Sequence, residues 1–277
     1  MVTPTDKLVI IKPGALGDTL LLAPALRALR DGRPGIDIAV VGSLPSVALL
    51  KHLGLAKAVF DIERLNLYAP AGAEFKIFKG ARVLACLPLD EHVCKALRDR
   101  AGVCSIARCP ASGRAEGQHM AVYLHQCLKG FVPETGALSR AALICPDEDS
   151  ICPAASYAVL APGAGSAAKR APFVRFEAAA REWHAEGVLP VFLAGEVEIT
   201  QGLAARYPGR FPCVTTPSLT VLAGLLSGAT AVYANDSGPA HLAGLLGAPT
   251  TVFFGPTDPD VWRPWGPRVD IQRFDPE

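Results

Sequence analysis

Three turns in the sequence combine small residues with groups that handle protons or anions. The first is Gly14-Ala15-Leu16-Gly17-Asp18, which follows a strand-like run and opens a helix. Glycine lets the backbone turn sharply, and a helix N-terminus attracts anions. Asp18 is placed to accept a proton from a substrate hydroxyl as a general base, but it is also explained as the N-cap of the helix. The turn is not GxGxxG, which disfavours a nicotinamide cofactor.

The second turn, Pro162–Arg170 (PGAGSAAKR), also follows a strand-like run. Its small residues expose backbone N–H groups, and the cations Lys169 and Arg170 come directly after them. Amide donors and a lysine charge together suit a diphosphate. The segment lacks GxxxxGK[ST] and is therefore not a P-loop. A flexible loop with solvated cations is the alternative interpretation.

The third turn begins the segment Asn235–Ala243 (NDSGPAHLA), where a strand ends and a helix starts. The amides of Ser237 and Gly238 would bind a phosphate at the helix N-terminus. His241, one helical turn later, would face the same phosphate site. Alternatively, Asp236 or Ser237 simply caps the helix. A rigid loop, Phe254–Pro259 (FGPTDP), follows the last predicted strand. A purely structural role for this loop is to cover the edge of the sheet.

Short apolar runs alternate with amphipathic helices along the whole chain, which predicts parallel sheets with helices on both faces. Strands are predicted at Lys7–Lys12, Ile36–Val41, Ala58–Ile62, Arg82–Leu87, Tyr157–Leu160, Leu189–Ala194, Pro212–Val214, Ala231–Ala234 and Thr250–Phe254. Helices are predicted at Thr19–Arg30, Val47–Leu53, Glu91–Ala101, Gln118–Lys129, Phe173–Glu186, Val197–Tyr207, Leu219–Ser227 and Pro239–Leu246.

The segment Leu143–Ala155 breaks this periodicity and predicts a linker, with domains at residues 1–150 and 151–277. Two such α/β domains would face a central cleft.

Composition excludes several classes of protein. Half of the 277 residues are hydrophobic, which excludes global disorder. Lys and Arg number 27 and Asp and Glu 26, so a strongly basic nucleic-acid surface is excluded. No apolar run reaches about 18 residues, as a transmembrane helix would require. The polar start, Met1–Lys7, does not resemble a secretory signal, so we expect a cytoplasmic protein and leave peripheral membrane contact open.

The eight cysteines form no CxxC pair, which argues against a zinc or thioredoxin-like motif. We expect reduced, mostly buried thiols, because a chain of this length does not need disulfides to stabilise its core. A metal cluster built from Cys86 to Cys127 is the alternative.

Together, these motifs resemble glycosyltransferase family 9, the heptosyltransferase-like enzymes. The most specific match is Asn235–Ala243 followed by Phe254–Pro259, because two separated motifs recur in order and at the right distance. Gly17-Asp18 with Pro24, and Pro162-Gly163 to Lys169, complete the resemblance.

The resemblance implies a GT-B architecture with two Rossmann-like domains, an acceptor on the N-terminal one and a nucleotide-sugar on the C-terminal one. It implies transfer from ADP-heptose with inversion and without a metal or other cofactor. The catalytic positions would be Asp18, as the base, and Lys169, which neutralises the donor phosphates. The acceptor would meet Gly14 and Gly17, and the donor would meet Ala164, Gly165, Ser166, Lys169, Asp236, Ser237, Gly238 and His241. Glu196 is our choice for the acid that binds the ribose, and Glu198 is nearly as good.

Two departures from the family pattern qualify this expectation. Ala171 stands where the family commonly has tryptophan, and the middle of the N-terminal domain is short. A shortened acceptor domain indicates a small or unusual acceptor rather than a lipopolysaccharide core. Two other functions suit the same architecture: a sugar-nucleotide epimerase, and a nucleotide-sugar-binding protein without activity.

Overall fold

A computed structural model describes residues 7–70, 72–146 and 153–275 of the chain. The chain divides into two compact units, Met1–Ser139 and Arg140–Glu277. The domain boundary predicted at residues 150 and 151 lies outside the described residues. Among the described helices, none has the length and apolar character needed to cross a membrane.

The described part of the first unit is built on a five-stranded sheet in which all neighbours are parallel, in the order β3-β2-β1-β4-β5. Its strands are β1 (Lys7–Ile11), β2 (Asp37–Gly42), β3 (Ala58–Asp61), β4 (Arg82–Ala85) and β5 (Ser105–Arg108). Its helices are α1 (Leu16–Leu20), α2 (Ala23–Gly32), α3 (Leu44–His52), α4 (Glu91–Ala101) and α5 (Met120–Phe131), with 3-10 turns at Ile62–Arg64, Ala73–Phe78 and Ala111–Gly113.

The central strand β1 carries Leu8, Val9, Ile10 and Ile11, all fully buried, as helices on both faces of a parallel sheet require. The helix predicted over Thr19–Arg30 is in fact two helices, α1 and α2. Pro24 lies at the start of α2 because proline has no N–H to donate to the preceding turn and its ring would clash with the carbonyl there. The strand β5 was not predicted, since its residues are partly exposed and form no long apolar run.

The second unit has a six-stranded parallel sheet in the order β11-β10-β9-β6-β7-β8. Its strands are β6 (Tyr157–Ala161), β7 (Leu189–Ala194), β8 (Cys213–Thr215), β9 (Ala231–Asn235), β10 (Thr250–Phe254) and β11 (Val269–Arg273). Its helices are α6 (Phe173–Ala185), α7 (Glu196–Thr200), α8 (Leu219–Ser227), α9 (Gly238–Leu246) and α10 (Pro259–Trp262), with 3-10 turns at Ala167–Lys169 and Leu203–Arg206. From β8 to β11 this is the 3-2-1-4-5-6 order of dinucleotide-binding folds.

The second unit departs from the prediction at two places. The helix predicted over Val197–Tyr207 is divided by Gly202, which has a φ of +67° and separates α7 from a 3-10 turn. The edge strand β11 was not predicted, because most of its residues are exposed. The expected fold class, two Rossmann-like α/β domains with parallel sheets, is confirmed.

Candidate functional site

The loops that carry the second and third motifs meet at one edge of the second sheet. Strands β6, β9 and β10 are neighbours and run parallel, so their carboxyl ends lie side by side. The loops that leave those ends contain Pro162–Arg170, Asp236-Ser237 and Gly255–Asp258. This edge is where ligands bind in open α/β sheets.

Asn235, the last residue of β9, holds both ends of the Pro162–Arg170 loop. Its side chain is fully buried, its Oδ1 accepts a hydrogen bond of 3.0 Å from Ala171 N, and its Nδ2 donates one of 2.6 Å to Pro162 O. The loop is therefore fixed at two points to the strand that bears Asp236. Our prediction omitted Asn235 from the site, although its position at a strand end beside Asp236 was a usable signal.

Asp236 is the centre of a polar cluster. Lys169 Nζ and Thr257 Oγ1 each donate a hydrogen bond of 2.7 Å to its Oδ2, and His241 Nε2 lies 3.7 Å from its Oδ1. Lys169 comes from the loop after β6, Thr257 from the loop after β10, and His241 from α9. Thr257 was not among our predicted site residues, although its motif was recognised.

The ionisation of Asp236 follows from these neighbours. Burial alone would raise its pKa, but hydrogen bonds from His241, Lys169 and Thr257, together with the Lys169 charge, lower the pKa to about 2. The carboxylate is therefore charged at neutral pH and holds the Lys169 ammonium in place. The Lys169 side chain remains 32% exposed, so it is partly accessible from solvent.

The start of α9 lies directly beside this cluster. Ser237 occupies the N-cap position, but its Oγ donates to Asn235 O at 3.0 Å instead of capping the helix. The Asp236 side chain is likewise directed to Lys169 and Thr257, so the capping interpretation of these two residues is wrong. The first turn of a helix has backbone N–H groups without intrahelical partners, which suit an anion.

The loop after β6 has a buried base and an exposed tip. Ala164 is buried, and its carbonyl accepts a hydrogen bond of 3.3 Å from Arg170 Nη2, whereas Gly165 and Ser166 are exposed. The loop also packs closely on the loop after β10, because a Cβ on Gly255 would lie 2.8 Å from Ala168 O. The two loops therefore support each other where Lys169 meets Thr257.

The two candidate ribose ligands have different environments. Glu196 is exposed at the start of α7. Glu198 is buried, and its Oε2 accepts a hydrogen bond of 2.8 Å from Gly195 N. Its carboxylate also lies against Gly163, where an added Cβ would come within 2.3 Å of Oε1.

The turn that carries Asp18 belongs to the first unit. Gly14 has a φ of +130°, and Asp18 lies over it, so a Cβ on Gly14 would be 3.0 Å from Asp18 Cβ. Ala15 occupies the N-cap position of α1, whereas Asp18 and Gly17 lie within its first turn. The N-cap interpretation of Asp18 is therefore wrong, and its carboxylate is half-buried at the carboxyl end of β1.

Seven cysteines lie in the described part of the chain, and six of them are free thiols: Cys86, Cys94, Cys104, Cys109, Cys127 and Cys213. Cys94 and Cys109 are buried, Cys86, Cys127 and Cys145 are half-buried, and Cys104 and Cys213 are exposed, so the expectation of mostly buried thiols was wrong. Cys152 lies outside the described residues. Within residues 7–70, 72–146 and 153–275, no group of three or more His, Cys, Asp or Glu side chains is arranged to hold a metal ion.

Several solved structures share this fold. The E. coli ADP-heptose lipopolysaccharide heptosyltransferase II is 18% identical, with a TM-score of 0.75 over 97% of this chain and 90% of that one. A family 9 glycosyltransferase from Veillonella parvula is 17% identical, with a TM-score of 0.74 and coverage of 99% and 87%. The E. coli heptosyltransferase WaaC with ADP-2-deoxy-2-fluoro heptose is 19% identical, with a TM-score of 0.69 and coverage of 96% and 93%.

No curated protein sequence matches the chain. The model of glycosyltransferase family 9 (heptosyltransferase) matches residues 138–276, which is half of the chain and contains the cluster around Asp236. The chain therefore belongs to glycosyltransferase family 9, the heptosyltransferase family, and is a glycosyltransferase.

Proposed function

We propose that this glycosyltransferase moves a heptose, or a related sugar, from an ADP-sugar to a hydroxyl acceptor, with inversion at the anomeric carbon and with Asp18 as general base. The observation that carries the donor side of the proposal is Lys169 Nζ, held 2.7 Å from Asp236 at the start of α9. WaaC, with the same fold, was solved with an ADP-heptose analogue, which supports the choice of donor.

The donor diphosphate would bind where Lys169 and the first turn of α9 meet. An ammonium has three N–H donors, and one of those of Lys169 is directed at Asp236. The others, with the amides of Ser237 and Gly238, would bind the phosphate oxygens, and His241 would complete this side of the site. Charge grows on the diphosphate as the sugar leaves, so fixed donors here stabilise the transition state more than the bound donor.

Glu196 would bind the ribose hydroxyls. Its carboxylate is exposed at the start of α7, whereas that of Glu198 is already occupied by Gly195 N–H. Ala164, Gly165 and Ser166 would line the donor from the other side, with the exposed tip of their loop free to adapt to it.

Asp18 would take the proton of the acceptor hydroxyl as its oxygen attacks the anomeric carbon from the face opposite the diphosphate. A half-buried carboxylate at the carboxyl end of β1 suits this role, and Gly14 gives the acceptor a close approach to the backbone. Gly17 would contribute to the same acceptor surface. In this mechanism Lys169 and the helix amides stabilise the leaving group in place of a divalent metal.

Turnover by Asp18→Asn tests the assignment of the base. ADP release from ADP-heptose and an acceptor should fall by about two to four decades, while ADP affinity stays unchanged. Asp31→Asn is the matched control, because Asp31 is an exposed carboxylate in the same unit that pairs only weakly with Arg27 at 3.9 Å. Near-wild-type turnover by Asp18→Asn would remove Asp18 from the mechanism.

Two further measurements test the remainder of the proposal. Lys169→Met should weaken donor binding and slow transfer together, and an unchanged dependence on donor concentration would contradict its role. Activity should persist in excess EDTA, and loss of activity that a divalent metal restores would contradict the metal-free mechanism. A new sugar-nucleotide isomer from donor alone would identify an epimerase instead.

A further inference from the structure

Two cysteines lie side by side at the carboxyl edge of the first sheet. Strands β4 and β5 pair in parallel with Ala85 opposite Arg108, so the next residues, Cys86 and Cys109, are neighbours across the two chain segments. Backbone hydrogen bonds continue at this point, from Cys86 N to Ile11 O at 2.8 Å and from Cys109 N to Ala85 O at 2.7 Å. Both residues are therefore fixed by the sheet.

Helix α5 brings a third cysteine to the same place. Tyr123 Oη donates a hydrogen bond of 2.8 Å to Pro110 O, which anchors the helix beside Cys109. Cys127 follows Tyr123 by four residues and so lies on the same face of α5. Side-chain hydrogen bonds connect the Cys109 thiol with both Cys127 and Cys86.

The chain between Cys109 and Cys127 is already folded back on itself. Gln118 Nε2 donates to Gln126 Oε1 at 2.7 Å, and Arg114 Nη1 donates to Gln118 O at 2.6 Å. These bonds, with that from Tyr123 to Pro110, hold α5 against the segment after β5, so the loop that a Cys109–Cys127 disulfide would close is already folded. Cys109 is buried, whereas Cys127 is partly exposed and can meet a small oxidant.

We propose that Cys109 and Cys127 are an oxidation site, at which hydrogen peroxide forms a disulfide that fastens α5 to the end of β5. This proposal is independent of the proposed function. Cys86 contacts the same Cys109 thiol and is the competing partner, but it lies on a neighbouring segment of the sheet. The disulfide to Cys127 instead closes a loop whose two ends are already held together by hydrogen bonds.

The reaction consumes one molecule of peroxide. The Cys127 thiolate attacks one peroxide oxygen, the O–O bond breaks, and a sulfenic acid and water form. Cys109 sulfur then attacks the sulfenic sulfur, the S–O bond breaks, and a second water leaves. Two thiols lose two electrons and two protons, and the peroxide is reduced to water.

The pair is protected from rapid oxidation at neutral pH. The hydrogen bond with Cys127 lowers the pKa of Cys109, but the hydrogen bond with Cys86 and burial outweigh it and raise the pKa to about 12. The hydrogen bond with Cys109 and burial raise the pKa of Cys127 as well. Because the thiolate is the reactive species, the disulfide should form slowly and only with sustained peroxide.

Peptide mapping of the full chain after peroxide treatment tests the site. Trypsin separates all the relevant cysteines, with Cys109 in residues 109–114, Cys127 in residues 115–129 and Cys86 in residues 83–95. We expect a loss of two hydrogens and a cross-link between peptides 109–114 and 115–129 that dithiothreitol reverses. A cross-link from Cys109 to peptide 83–95, or thiols that all remain alkylatable after unfolding, would overturn the proposal.

Variants and thermal stability complete the test. Cys109→Ser should abolish the cross-link, and Cys86→Ser and the control Cys104→Ser, at an exposed position, should retain it. The oxidised protein should melt about 5 °C or more above the reduced one by calorimetry, as expected for a closed loop of this length. Equal or lower melting, or a cross-link that forms only in urea, would show that the native fold does not use this disulfide.

Discussion

Asp236→Asn removes the negative charge of the buried side chain at the centre of the polar cluster and keeps its size and shape. The wild-type side chain is only 5% exposed and accepts hydrogen bonds from Lys169 and Thr257. Asparagine retains an oxygen acceptor of the same size but loses the negative charge. The substitution therefore tests whether the folded second unit depends on the charge that pairs with Lys169.

The expected loss follows from the pKa of Asp236. Burial works against ionisation, and its three partners overcome it, so the pKa falls from the usual 3.8 to about 2. This difference corresponds to about 2 kcal/mol of stability for the folded state. Because the folded-state pKa is depressed, the contribution is complete above pH 3.8 and disappears as the pH falls toward 2, with about half of it gone at pH 3.

Urea unfolding followed by tryptophan fluorescence reports on the second unit, which contains Asp236, because Trp183, Trp262 and Trp265 all belong to residues 140–277. Asp236→Asn should lower the free energy of unfolding by about 2 kcal/mol at pH 7, and the gap should narrow to about 1 kcal/mol at pH 3. Asp270→Asn, at an exposed position on β11, should change it by less than about 0.5 kcal/mol. If the wild-type protein and the variant differ in free energy of unfolding by the same amount at pH 7 and at pH 3, the assigned ionisation of Asp236 is refuted.

Four further substitutions test other parts of the two units. Asn235→Ala leaves a buried N–H and a buried carbonyl without their partner, so urea unfolding should show a loss of about 2–4 kcal/mol, and calorimetry should show weaker ADP binding. Glu196→Ala should raise the donor KM and leave the melting temperature unchanged. Glu198→Ala should lower the free energy of unfolding by about 1.5–3 kcal/mol, because it removes the acceptor of Gly195 N–H. The reverse pattern would exchange the roles of the two residues. Gly14→Ala forces a side chain into a φ of +130°, so kcat should fall while ADP affinity, measured by calorimetry, stays constant.

The meeting of the second and third motifs was predictable because their signals are local. Each motif directly follows an apolar run that forms a buried strand, and the parallel alternation of strands and helices sends all such motifs to one sheet edge. That rule is sufficient to bring Lys169 near Asp236. It does not predict that Lys169, Thr257 and His241 converge on one carboxylate, because this depends on side-chain directions in three separate loops.

Other features were missed because their signals are not local. Strands β5 and β11 pair only along one edge and carry exposed residues, so their formation depends on the neighbouring strand rather than on an apolar run. The choice between Glu196 and Glu198 depends on which carboxylate turns back to Gly195 N–H, and both residues lie in the same first turn of α7. The contact of Cys109 with Cys127 depends on how α5 packs, which no spacing in the sequence reveals.

In the proposed donor site, the buried Asp236 carboxylate would at first oppose binding of an anionic diphosphate. Asp236 and Lys169 together carry no net charge, so the pair adds little attraction for an anion at long range. The advantage lies in position, because a free lysine chain has many rotamers and loses about 2 kcal/mol of conformational entropy when it is ordered. In the proposed site, Asp236 would order Lys169 before the donor arrives. The field that remains at the phosphates would come from the oriented amides of α9, which would need no reorganisation during the reaction.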